Sequence, residues 1–303
     1  MPLLGINAAP DGPELHRSVH PLHFALLRHA QDFGPVIIMI HGYKFRPGDP
    51  GGCPHDHIFA LDNIANCPRA ISWPRLLGMD ACEGLGIAFG WNGGGTLWQA
   101  RVSALRAGEA LGGLVQRLRR IAPQRPVHVI AHSLGAQVAF SALTRVGAGD
   151  IHRIVVLNGA AYQSQAHAAL ASAAGKKAEL FNVTTRENAV FDFAFERLIR
   201  PGGPGDRALG KGFRAGNAVT LRIDDTDLLH RLARHGIRVA NPERRVCHWS
   251  TYLRPGVFGL YRNLLHDPQR LPMGLLQQIT EAIAPRKRPR HLLALLPAAK
   301  RAS

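Results

Sequence analysis

The chain has no apolar run long enough to cross a bilayer. Its longest uninterrupted stretches, Val36-Ile37-Ile38-Met39-Ile40 and Leu292-Leu293-Ala294-Leu295-Leu296, fall far short of the roughly 18 residues a spanning helix needs. The opening Met1-Pro2-Leu3-Leu4-Gly5 shows neither the basic start nor the continuous apolar core of a secretory signal, so a cytoplasmic protein is expected. Cysteine is scarce: Cys53, Cys67, Cys82 and Cys247 in 303 residues make no disulfide framework and fit a reducing compartment. Acidic residues are also few, 21 Asp plus Glu against 37 Lys plus Arg, for a net charge of +16. Such a balance gives a weak attraction to anionic surfaces, membranes included. The arginines are spread along the chain rather than gathered on one helix among aromatics, and no nucleic-acid-binding motif appears, so a nucleic-acid partner is not expected.

Two further patterns are missing. Cys53-Pro54-His55-Asp56-His57 with Cys67 has metal-ligating residue types, but its spacing matches none of the common zinc arrangements. Asn92-Gly93-Gly94-Gly95-Thr96 lacks the Lys-Ser/Thr of a phosphate loop and the spacing of a dinucleotide fingerprint. It reads as a flexible turn, with Trp91 beside it lining an acyl pocket or filling the core. Neither a metal nor a cofactor is expected.

What is present is the balance of a folding chain: 46% hydrophobic and 19% charged residues, close to a globular average. Short apolar runs alternate with longer periodic segments, the pattern of an α/β protein with a mostly parallel sheet and helices on both faces. Strands are expected over 35–40, 85–89, 127–131, 154–158, 179–184 and 219–223. A long helix is expected over 97–121, with Leu111, Leu114, Val115, Leu118 and Ile121 on one face. We read residues 1–284 as one domain with a loop insertion near 46–79, and 285–303 as a basic, flexible tail. The Pro- and Gly-rich segment 200–216 is expected to be an exposed, mobile loop.

The chemistry-bearing motif is Ala131-His132-Ser133-Leu134-Gly135. It follows the apolar Val127-His128-Val129-Ile130 directly, and a stretch with small residues at Ala136, Ala139 and Ala142 comes next. A serine on a sharp strand-to-helix turn presents its hydroxyl, and the crowded backbone admits only small residues two places away on either side. Ala131 stands where the strict pattern has glycine.

On these residues the chain resembles the α/β-hydrolase superfamily, in particular its serine esterase and lipase members with an Ala-His-Ser-x-Gly elbow, over roughly 35–265. Ile38-Met39-Ile40-His41-Gly42-Tyr43 is similar to the family's strand and His-Gly turn. The resemblance implies an α/β-hydrolase fold, Ser133 as nucleophile, and the backbone N–H groups of Tyr43 and Leu134 as the oxyanion hole, with His41 ordering the loop. It also implies a chain order of Ser, then acid, then His. Of sixteen histidines, His248 is the candidate base: it follows the last expected strand and precedes a terminal helix. The acid is open between Glu187, nearer the end of the 179–184 strand, and Asp192. Relatives commonly place an aspartate near the positions held here by Asn188 and Ala189, which is a departure. Asp224 and Asp225 are more readily helix caps. The expected activity is hydrolysis of a carboxylic ester, small or lipid-like. The alternatives are acyl transfer to another acceptor and a non-catalytic binding protein of the same fold. Oligomeric state cannot be read from the sequence.

Overall fold

A computed structural model describes residues 2–62, 67–80 and 84–281. Eight strands form one sheet: β1 (Leu3–Ala9), β2 (Gly12–Leu15), β3 (Val36–Ile40), β4 (Leu85–Gly90), β5 (Val127–His132), β6 (Arg153–Leu157), β7 (Glu179–Thr184) and β8 (Ala218–Arg222). Their order is β2-β1-β4-β3-β5-β6-β7-β8. All neighbours are parallel except the β1–β2 hairpin at one edge.

The sheet interior is apolar because both faces are covered. Along β3, Val36, Ile38 and Ile40 enter one core with the helices Leu97–Ile121 and Gly135–Leu143. Ile37 and Met39 enter a second core on the opposite face with the helices Thr226–Arg234, Val257–His266 and Met273–Glu281. The alternation is the period-2 geometry of a strand between two layers. The helix over 97–121 starts on a capping box, in which Thr96 accepts from the Gln99 N–H and Gln99 accepts from the Thr96 N–H. Arg119 and Arg120 close its last turn, where positive charge suits the helix dipole.

The six expected strands are present within a residue or so at each end. β1 and β2 were not expected from the sequence. Only Ile6 of β1 is fully buried and the rest of that strand is half-covered, so this edge hairpin carries little of the apolar signature of the interior strands. Segment 200–216 is largely exposed, as expected, but not around 208–210. Leu209 and Gly210 are buried, because Asn182 and Thr184, at the end of β7, donate to their carbonyls at 3.0 and 3.1 Å. Within 46–79, the short helix Trp73–Leu76 sinks Trp73 completely against Tyr252 and Phe258. The tail expected over 285–303 lies outside the described residues.

Candidate active site

At the C-terminal end of β5 the backbone turns through Ser133 with φ of 54°, in the left-handed region that a residue with a side chain enters only at some cost. Two main-chain links hold the turn. The Ser133 N–H donates to Leu157 O of neighbouring β6 at 2.9 Å, and Ser133 O accepts from the Ala160 N–H at 2.9 Å. Helix Gly135–Leu143 begins immediately afterwards. Ala131 is fully buried, so the methyl at the atypical flank is accommodated. Gly42, from the loop after β3, faces the serine: a Cβ there would lie 2.9 Å from Ser133 Cβ and 3.1 Å from His132 O.

His248 reaches the serine from a loop 115 residues further along, with Nε2 2.8 Å from Ser133 Oγ. Its backbone is fixed from below. The His248 carbonyl accepts from Asn158 Nδ2 at 2.9 Å and from His132 Nε2 at 3.2 Å, and the preceding Cys247 N–H donates to Glu187 O at 2.9 Å. The ring lies between Phe191, stacked at 4.6 Å, and His132, tilted at 4.7 Å. Burial foremost, with His132 adding to it, holds the His248 pKa well below its ordinary value. The imidazole therefore rests neutral.

The third position is occupied by neither of the acids expected from the sequence. His248 Nδ1 lies 2.6 Å from Asn188 Oδ1. Glu187 is turned away: its carboxylate ion-pairs with Arg254 and accepts from Thr185 Oγ1 at 3.1 Å, all three side chains being buried. The reason is local geometry. Residues 186–188 form a single 3-10 turn, in which successive side chains diverge by about 120°, so only one of Glu187 and Asn188 can face the histidine. Asp192 stands one step behind, accepting from Asn188 Nδ2 at 3.0 Å. Asp224 accepts from the Arg186 N–H at 3.1 Å, and Asp225 caps the helix Thr226–Arg234 through the N–H groups of Asp227 and Leu228.

The remaining element of the site is a pair of backbone donors. Among the described residues, neither the Tyr43 nor the Leu134 N–H donates to a protein acceptor. His41 sets the first of them. Its Nε2 accepts from the Trp91 N–H at 3.0 Å, which leaves the proton on Nδ1, 2.9 Å from Gly42 O. The Gly42 carbonyl and the Tyr43 N–H belong to one planar trans peptide and point in opposite directions, so anchoring the carbonyl aims the N–H. Burial drives the His41 pKa down to about 3, which keeps this tautomer neutral. Trp91 is fully buried, stacked 5.2 Å over His41, and is thus core rather than pocket. The turn at 92–95 buttresses the same loop, since the Lys44 N–H donates to Gly93 O at 2.7 Å and Tyr43 Oη to Gly95 O at 2.7 Å.

The Cys53, His55 and His57 side chains do not converge. His55 stacks on His16 at 3.9 Å and lies 2.8 Å from Asn7 Oδ1, whereas His57 packs edge-on against Phe45. Among the described residues there is no group of three or more His, Cys, Asp or Glu placed to hold a metal ion, and no helix is long and apolar enough to cross a membrane. Asn188 is the residue that sequence reasoning missed as a participant. The available signal was the resemblance, which implies an aspartate near this position.

Residues 25–158 match the family described as "Alpha/beta hydrolase of unknown function (DUF900)". The matched span contains β3, β4, β5, the Tyr43 loop and the Ser133 elbow, but not Asn188, Asp192 or His248. No curated protein matches the chain. The sheet, its covering helices and this match together make the molecule an α/β-hydrolase in fold.

Proposed function

We propose that this α/β-hydrolase is a serine hydrolase that cleaves carboxylic esters. The observation that carries the reading is the chain of contacts Ser133 Oγ to His248 Nε2 at 2.8 Å and His248 Nδ1 to Asn188 Oδ1 at 2.6 Å, built at a strained strand-to-helix turn. A carbonyl oxygen of an amide can only accept, so Nδ1 carries the proton and Nε2 presents its lone pair to the serine hydroxyl.

As Ser133 Oγ attacks the ester carbonyl, its proton passes to His248 Nε2, and the tetrahedral oxyanion takes hydrogen bonds from the Tyr43 and Leu134 N–H groups. His248 then returns the proton to the leaving alkoxide, and the carbon–oxygen bond to the alcohol breaks. Water repeats the sequence on the acyl-serine, releasing acid and free enzyme. Helix Ala189–Leu198 supports an apolar acyl group: Phe191 stacks on His248, and Val190 and Phe193 of the same helix are exposed.

A second reading, an α/β-hydrolase-like binding protein without catalysis, is favoured by one observation, the neutral amide in the place of the acid. Labelling with a fluorophosphonate probe separates the two. Wild type is expected to react, and Ser133→Ala and His248→Ala to be silent. An unreactive wild type would leave the binding reading standing, and reaction of Ser133→Ala would show another nucleophile. Ester against thioester or amide turnover, with and without an alcohol acceptor, then fixes the reaction class.

A further inference from the structure

Asn188 does not end the network. An amide has an acceptor end and a donor end, and which end faces His248 decides where the imidazole proton sits. With Oδ1 toward His248, Nε2 is free to act as base; reversed, the Nδ2 group would require an unprotonated Nδ1 and place the proton on Nε2, facing the serine. Asp192 removes that choice. An ionised carboxylate accepts only, so it fixes Nδ2 toward itself and Oδ1 toward the histidine.

The surroundings aim Asp192 at this task. It is buried, and its hydrogen bond is with Asn188. Gly210 presses against the carboxylate: a Cβ there would sit 2.3 Å from Asp192 Oδ2, so any other residue would displace it. Gly210 is itself pinned to β7 through Thr184. Among the described residues, two charged groups act on Asp192. Glu196 comes from its own helix and Lys211 from the 3-10 turn Leu209–Lys211, and they pair with each other at 2.5 Å. Among the described residues the acid thus has no ion-pair partner, and its one hydrogen bond is to the amide.

Resting on the serine-hydrolase reading above, we infer that Asp192 is a positioning residue for the His248 base, acting through the Asn188 amide. The catalytic set is then a relay of four side chains, with the carboxylate one residue removed from its usual contact. Burial above all, helped by Glu196 and opposed by Asn188 and Lys211, raises the Asp192 pKa to about 6. With His248 itself held low, the acid limb of the reaction would report Asp192.

The decisive variants are Asp192→Asn, and the exchange Asn188→Asp with Asp192→Asn, which puts the carboxylate directly against His248. Two quantities are read: the rate of fluorophosphonate labelling between pH 5 and 8, and the protonated nitrogen of His248 by proton–nitrogen NMR, assigned by difference from His248→Gln. Wild type is expected to hold the proton on Nδ1 and to lose rate below about pH 6. Asp192→Asn should label about 10- to 100-fold more slowly, the range expected when a charge-assisted hydrogen bond becomes a neutral one, and should show both tautomers. The exchange variant should recover the rate to within about threefold, and its acid limb should then follow protonation of His248, whose pKa the adjacent carboxylate raises. A purely structural Asp192 would change none of the tautomer, pH profile or rescue. An unreactive wild type would overturn the hydrolase reading, and the NMR tautomers in wild type and Asp192→Asn would then decide the inference alone. A reactive wild type with an indifferent Asp192→Asn, or an exchange variant no better than Asp192→Asn, would overturn the inference.

Discussion

Glu187 offers a sharp test, because its sequence position and its surroundings assign it different work. Replacing it with glutamine keeps its shape and an acceptor for Arg254, but removes the negative charge from a buried pair whose Arg254 also donates to Ile223 O. Leaving one partner of a buried pair uncompensated costs about 3 to 5 kcal/mol. The retained acceptor argues for the lower end, about 3 kcal/mol. For a domain of this size each kcal/mol shifts the midpoint by about 2 to 4 °C, so a fall of roughly 6 to 12 °C in Tm is expected. The link from this turn to the histidine loop, the Cys247 N–H to Glu187 O bond, is main-chain and survives the change. Labelling and ester turnover measured well below the new midpoint should therefore stay within about tenfold of wild type. Were Glu187 the acid of the triad, the loss would be about 10⁴ in kcat with little change in stability. Calorimetry and kinetics on the same sample separate the two. An unchanged Tm with a loss of that order would refute the assignment of Asn188 and Asp192 together.

Two further outcomes follow from the same geometry. Because Asp192 has a folded pKa of about 6 against an ordinary 3.8, the folded state holds its proton longer than the unfolded one, and stability falls as pH rises from about 4 to about 6 by about 3 kcal/mol. Asp192→Asn should consequently be more stable than wild type at pH 7 by up to that amount and equal to it near pH 4, as urea titration at the two pH values would show; no difference at pH 7 would contradict the raised pKa. Gly42→Ala, with its new methyl 2.9 Å from Ser133 Cβ, should lower kcat by about 10- to 100-fold through displaced reacting groups. Its Tm should change by only a few degrees, and wild-type turnover would show that the loop gives way freely.

Much of the fold was legible because interior strands buried on both faces leave apolar runs, unbroken at 36–40 and broken only by His128 at 127–131, and because the elbow requires small residues around Ser133. The meeting of His248 with Ser133 was legible by order along the chain. The partner of its other ring nitrogen was not, for a physical reason. A turn of one residue per third of a circle makes neighbours face different ways, so Glu187 and Asn188 cannot be ranked without the turn's phase. Chemical type then misleads, since a carboxylate at 187 looks more catalytic than an amide at 188. The role of 200–216 was hidden similarly: its Pro and Gly content announces a loop, but the side chains that bury Gly210 belong to β7, more than twenty residues away.

Ser133, Asn158 and the 3-10 turn bearing Asn188 leave the ends of β5, β6 and β7, which are consecutive neighbours in the sheet. The sheet is thus a ruler. Neighbouring strands lie about 4.8 Å apart, and the middle mark, Asn158, grips the His248 carbonyl while Ser133 and the turn of Asn188 follow the strands to either side. Distances graduated by backbone hydrogen bonds do not depend on what the outer loops contain. Loops that shape the mouth of the site can therefore be exchanged, by evolution or in the laboratory, without resetting the spacing of the groups beneath them.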